Sequence, residues 1–185
     1  MKKRYSTIAL AFLITVVALA TGVTRTGPVT AASPIAATAA IAGKADALLL
    51  TCMDYRLTGH TTDYMVHDRH MAENYDYVIL AGASLGVNNT KYPNWGQTFW
   101  QHLDTAIALH GIHEVIIIDH RNCGAYNLFL GKDFPADPTP AQRKEETAVH
   151  KKQLDALAKV IHKKYPALTV ETFLMNLDGT VEAIE

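Results

Sequence analysis

The 185-residue sequence predicts an α/β domain: a mostly parallel β-sheet flanked by helices, with a C-terminal strand–turn–strand. Three observations predict it. Short apolar runs rich in Leu, Ile and Val recur from Lys44 onward. Longer amphipathic stretches separate them, as crossover helices separate parallel strands. The last two runs are joined instead by Asp178-Gly179, the signal of a tight turn.

Each element has its own warrant. Ala45 to Thr51 is an unbroken apolar run and reads as a buried first strand. His60 to Asn74 fits a helix with Tyr64, Met65 and Met71 among its apolar positions. Asp76 to Ala81 is the second strand, and Gly82 to Asn94 is a loop rich in Gly, Asn and Ser. Trp95 to His110 is a helix with Phe99, Leu103 and Ile107 or Ala106 on one face. Trp95, Phe99 and Trp100 are expected in the core or at a subunit boundary. Glu114 to Ile118 is the third strand; a short segment and a polar loop, Gly131 to Pro140, follow it. Thr139-Pro140-Ala141-Gln142 is a helix start, with a capping threonine, proline at the first helical position and glutamine three residues after the cap. That helix runs to about Lys164, with Val149, Leu154, Leu157 and Ile161 inward and its charges as a solvated face. Tyr165-Pro166 ends it. Leu168 to Met175 and Thr180 to Ile184 are the last strands.

Ahead of this domain lies a different kind of sequence. Lys2-Lys3-Arg4 is a charged start, Ile8 to Ala20 an apolar run, and Ala18-Leu19-Ala20 and Thr30-Ala31-Ala32 are small-residue cleavage candidates. Residues 1–32 therefore read as a signal peptide, or as a membrane anchor if left uncut. Residues 33–43 read as an Ala/Pro-rich linker, and 44–185 as the functional domain. An exported location, periplasmic or secreted, is expected. Lys2, Lys3, Arg4 and Arg25 are the only charged residues of the leader; of the 17 basic residues 13 then remain against 18 acids. A net charge of −5 with no basic cluster argues against nucleic-acid binding.

The chemistry concentrates at two strand ends. Cys52, Asp54 and Arg56 leave the first strand at alternate positions, and His120 and Cys123 follow the third. Ligand sites in parallel sheets lie beyond the carboxyl ends of the strands, so the two loops face one crevice if the strands are neighbours. Two thiolates and an imidazole are a known zinc set that leaves a fourth position open. Asp54 can orient a water at that position, with Arg56 holding the carboxylate charged; alternatively, Asp54 binds the metal itself. A Cys52–Cys123 disulfide is the competing reading in an exported chain. It leaves His120, Asp54 and Arg56 without a role.

Cys-x-Asp-x-Arg at 52–56 and His-x-x-Cys-Gly at 120–124, separated by an α/β stretch, resemble the β-class carbonic anhydrases. The resemblance covers Lys44 to Glu185 and implies that family's fold, ending in its strand–turn–strand. It implies Zn2+ held by Cys52, His120 and Cys123, with Asp54 and Arg56 as the catalytic pair. It implies reversible hydration of carbon dioxide to bicarbonate by a metal-bound hydroxide, in a homodimer or higher assembly. Hydrolysis of carbonyl sulfide or carbon disulfide on the same scaffold, or zinc binding without turnover, are the alternatives. Two departures bear on the substrate pocket. The family's Arg-Asn-Ala-Gly loop is replaced by Leu80-Ala81-Gly82-Ala83, and Tyr55 stands where a small residue is usual.

Overall fold

The computed structural model describes residues 43–184; the expected leader and nearly all of the linker lie outside the described residues. Five strands form one sheet in the order β2-β1-β3-β4-β5. They are β1 (Ala47–Thr51), β2 (Tyr75–Ile79), β3 (Glu114–His120), β4 (Thr169–Met175) and β5 (Val181–Ala183). The first four are parallel, and β5 returns antiparallel to β4 across the Asp178-Gly179 turn. The expected mixed sheet with its closing hairpin is thus observed. Every residue of β1 is buried, as a central strand covered on both faces requires.

The helices are α1 (Thr58–Asp63), α2 (Ser84–Val87), α3 (Pro93–His110), α4 (Gly124–Leu130) and α5 (Pro140–Lys164). Side chains alternate between two cores, following the period of a strand. Leu48, Leu50, Val115 and Ile117 pack with Phe99 and Leu103 of α3 and with Leu154, Leu157 and Ile161 of α5. Leu49, Ile116 and Ile118 point the other way, onto Leu57, Met65, Met71 and Met175. Helix α5 opens as its sequence dictates: Thr139 Oγ1 accepts from the Gln142 N–H, Gln142 Oε1 accepts from the Thr139 N–H, and Pro140 sits in the first turn.

Several expectations are corrected. The helix expected over His60–Asn74 is shorter; α1 passes into a wider π turn over Tyr64–Asp68, and His70 and Glu73 take positive φ. The loop after β2 holds one helical turn, α2. Strand β3 continues through Asp119 and His120, because β4 pairs with it as far as Met175. The polar residues of α5 are not all on a solvated face. Glu146 and His150 are fully buried beside the apolar stripe, whereas Val149 is half-buried. The aromatic group divides: Phe99 is core with Trp100 edge-on against it, while Trp95 stacks on Tyr92 at the surface.

Candidate metal centre

Strand order places the two chemical stretches together. From β1 the chain moves outward to β2, then returns past β1 to add β3 on its other side. The boundary between β1 and β3 is therefore the topological switch point, where the connecting loops diverge and leave a crevice. Thr51 is in register with Ile118, so Cys52 leaves β1 beside the final residues of β3. Cys52, His120 and Cys123 each bring one ligand atom into a group whose members all lie within 4.8 Å of one another.

The donor set fits zinc. The Cys52 and Cys123 sulfurs are 3.9 Å apart, and both thiols are free. Two thiolates on one tetrahedral zinc, each bonded at about 2.3 Å, stand about 3.8 Å apart. His120 Nδ1 donates to the Arg121 carbonyl at 2.8 Å, which leaves Nε2 as the free ring nitrogen. That nitrogen is buried and has no hydrogen-bond partner. An orphaned buried imidazole nitrogen between two thiols fits the position of a metal ligand.

The electrostatics prepare one thiolate. The Cys123 thiol hydrogen bond lowers the Cys52 pKa against the opposing effect of burial, and His120 and the Gly82 N–H add to the lowering, to about 4. The Gly82 N–H lies 3.2 Å from the Cys52 sulfur. Gly82 has a φ of 82°, and a Cβ there would stand 3.0 Å from the Cβ of Ala125. The proton the pair retains stays on Cys123, whose pKa the Cys52 thiolate and burial both raise. Burial pulls His120 down, but the Cys52 thiolate and the Arg121 carbonyl outweigh it and the net shift is upward.

Asp54 and Arg56 stand at the rim. Asp54 caps a 3₁₀ turn, accepting the Arg56 N–H on Oδ1 at 3.0 Å. The Arg56 side chain donates to the same carboxylate from Nε at 3.0 Å and Nη2 at 2.7 Å. These bonds, against a partial opposing effect of burial, hold Asp54 down to about 2. Asp54 Oδ2 is 3.8 Å from His120 Nε2. The structure therefore brings all five residues singled out in the sequence into one centre.

Two openings meet there. One is an apolar cleft of about 610 Å³ with Cys52 and Cys123 among its lining and Met53, Tyr92, Trp95, Leu128 and Phe129 around them. Trp95 and Phe129 meet edge to face with ring centroids 5.9 Å apart. The other is a hollow of about 310 Å³ with Asp54, Arg56, Asn122 and Asp133 among its lining and Phe134 beside them. Asp54 and Tyr55 border both, and Tyr55 is 87% exposed.

The sequence family agrees with this geometry. Residues 42–185 match the family described as "Putative carbonic anhydrase". The chain belongs to this family. Its sequence is 38% identical over 141 residues to uncharacterized proteins of Rickettsia conorii and Rickettsia bellii; the match covers 76% of this chain and 73% and 82% of theirs. The fold is similar to that of β-carbonic anhydrases. A tetrameric β-carbonic anhydrase of the ascomycete Sordaria macrospora aligns with a TM-score of 0.53 at 12% identity, covering 77% of this chain and 81% of that one. A carbonic anhydrase of Glaciozyma antarctica aligns at 0.50 with 14% identity, covering 80% and 87%.

Sequence reasoning missed the support behind this family's centre. Asp119, next to His120, is buried and accepts four hydrogen bonds. They come from the Ser84 N–H (3.0 Å), Ser84 Oγ (2.7 Å), Tyr126 Oη (2.6 Å) and His150 Nδ1 (2.9 Å). Four elements are thereby fastened at the root of the ligand loop. The signal was a run of positions, 146, 150, 154, 157 and 161, that continues the apolar stripe of α5 with polar residues.

Proposed function

We propose that this chain is a zinc-dependent carbonic anhydrase that interconverts carbon dioxide and bicarbonate. The observation that carries the reading is the unpartnered His120 Nε2 between two thiols, with an ionised Asp54 3.8 Å away. Zinc, when bound, supplies a nucleophile at neutral pH by acidifying water.

Cys52, Cys123 and His120 would hold the ion. Asp54 orients the reacting water. Arg56 occupies part of its lone-pair capacity, but Oδ2 receives only Nη2 and keeps a second lone pair for another donor. Arg56 keeps that carboxylate charged across the working pH range. The apolar cleft beside the thiols receives carbon dioxide, which carries no charge to be desolvated. Bicarbonate, unlike carbon dioxide, is charged, and the hollow on the Asp54–Arg56 side gives it a route out. The apolar lining of the cleft, with Ala81 in the altered loop, also favours carbonyl sulfide or carbon disulfide as an alternative substrate.

The working form is a homodimer or larger, as the tetrameric Sordaria relative suggests, and residues 1–32 direct it out of the cytoplasm. The test is carbon dioxide hydration by the zinc-loaded chain, measured beside sulfide release from carbonyl sulfide and carbon disulfide. Hydration abolished by chelation and restored by zinc supports the proposal. Sulfide release without hydration reassigns the substrate, and a zinc-loaded chain inactive in every assay refutes catalysis.

A further inference from the structure

We propose that Asn122 is a positioning residue: anchored by Glu146 and the Phe134 carbonyl, it fixes the Arg56 guanidinium and through it the Asp54 carboxylate. The inference rests on the role of Asp54 proposed above.

Asn122 lies in the ligand loop, between His120 and Cys123, with a φ of 54°. Non-glycine residues rarely enter this region, and asparagine is among those that tolerate it best. Here the conformation lets all its polar groups work at once. Its N–H donates to Glu146 Oε1 at 2.6 Å, and its Nδ2 donates to the Phe134 carbonyl at 2.6 Å. Its Oδ1 accepts from Arg56 Nη1 at 2.7 Å, and its carbonyl accepts from Arg56 Nη2 at 3.1 Å.

The anchor is interior. Glu146 is fully buried on α5, and its other oxygen accepts from Arg121 Nη1 at 3.2 Å. The Asp54–Arg56 pair by itself is local and half-open to water, the kind of ion pair whose geometry solvent and side-chain entropy loosen. Asn122 changes that. A guanidinium is planar, so holding Nε and Nη2 on Asp54 and Nη1 and Nη2 on Asn122 fixes its plane from both sides. The contact joins residues 66 apart in sequence and ties the Asp54 loop to the loop that carries His120 and Cys123. Asp54 is thus registered against the ligands and not only against its own turn.

The test reads Arg56 directly. In the zinc-loaded full chain, the Arg56 Nε–H is followed by ¹⁵N NMR and assigned by its loss in Arg56→Lys. Asn122→Gly suits a φ of 54° without strain and deletes the side-chain acceptor. It is expected to keep zinc and the fold while the Arg56 Nε–H exchanges with water about tenfold faster or more. In hydration assays, Asn122→Gly is expected to lower kcat about 10–100-fold with Arg56 present, and less than about twofold in an Arg56→Ala background. A slow signal in Asn122→Gly, or equal losses in both backgrounds, overturns the proposal. A wild-type chain without hydration activity refutes the enzyme reading instead, and the NMR measurement still decides whether Asn122 holds Arg56.

Discussion

Arg56 holds Asp54 by two parallel side-chain hydrogen bonds, Nε to Oδ1 at 3.0 Å and Nη2 to Oδ2 at 2.7 Å. The pair is built within one turn, so its charge state follows from its own stretch of chain. Asp54→Asn keeps the shape, removes the charge and sets an amide against the Arg56 donors. We expect zinc content to be unchanged and turnover to fall by about 100-fold or more. Wild-type turnover in this variant removes Asp54 from the mechanism.

The same pair fixes a pH dependence. The folded pKa of Asp54, about 2, lies below the ordinary 3.8. Its contribution to stability is therefore complete above about pH 4 and lost as pH falls toward 2. Wild-type and Asp54→Asn unfolding midpoints should differ at pH 6 and converge near pH 2. A constant difference across that range contradicts the assignment. It follows too that no activity loss between pH 5 and 8 reflects protonation of Asp54.

Cys52→Ser and His120→Ala are each expected to lose zinc. Atomic absorption on desalted protein is the measurement, with circular dichroism confirming that the sheet persists. Full metal content in either variant excludes that residue as a ligand.

Metal uptake should be coupled to protons, with a definite sign. The Cys123 thiol holds the proton that the sulfur pair retains, since the Cys52 thiolate and burial both raise it. Zinc must displace that proton, so apparent affinity rises with pH, by about tenfold per pH unit for each proton released. Chelator competition at pH 6, 7 and 8 checks the slope; a flat profile shows that the ligands are already deprotonated.

Asp119→Asn tests the support behind the centre. Replacing a buried carboxylate that accepts four hydrogen bonds removes one acceptor and turns a donor toward the Ser84, Tyr126 and His150 donors. A loss of about 3–5 kcal/mol is expected in urea unfolding. A loss below about 1 kcal/mol shows that the cluster relaxes around the change.

The parts of the site legible in the sequence are those written in short spacings. Cys-x-Asp-x-Arg and His-x-x-Cys each bring their groups together within a turn or two, and only the neighbouring of β1 and β3 had to be supplied by the fold. The parallel sheet was legible for a similar reason, because a two-sided core makes each strand an unbroken apolar run. Interior polarity hid the rest. Asp119 and His120 interrupt the apolar run of β3, yet they remain strand because Ser84, Tyr126 and His150 satisfy the carboxylate. Glu146 and His150 looked like part of a lysine-rich solvated face, and only their spacing with Leu154, Leu157 and Ile161 marks them as inward. Asn122 carries almost no sequence signal, since its role depends on a backbone conformation and on a helix that begins 18 residues later.

The separation of Cys52 from Cys123 has a consequence for how the molecule matures. The two sulfurs meet across 71 residues, and β2, α2 and α3 must be made and threaded aside before β3 can dock on β1. An ion cannot find its three-ligand site in a nascent chain that ends before Cys123, so metal cannot seed the sheet. A bound ion would act afterwards, as a clasp on the finished fold. Because it would bind the folded site and not the unfolded chain, it would stabilise the finished fold by mass action. Loss of the ion would therefore show first in the ease with which the finished sheet comes apart, more than in the rate at which it forms.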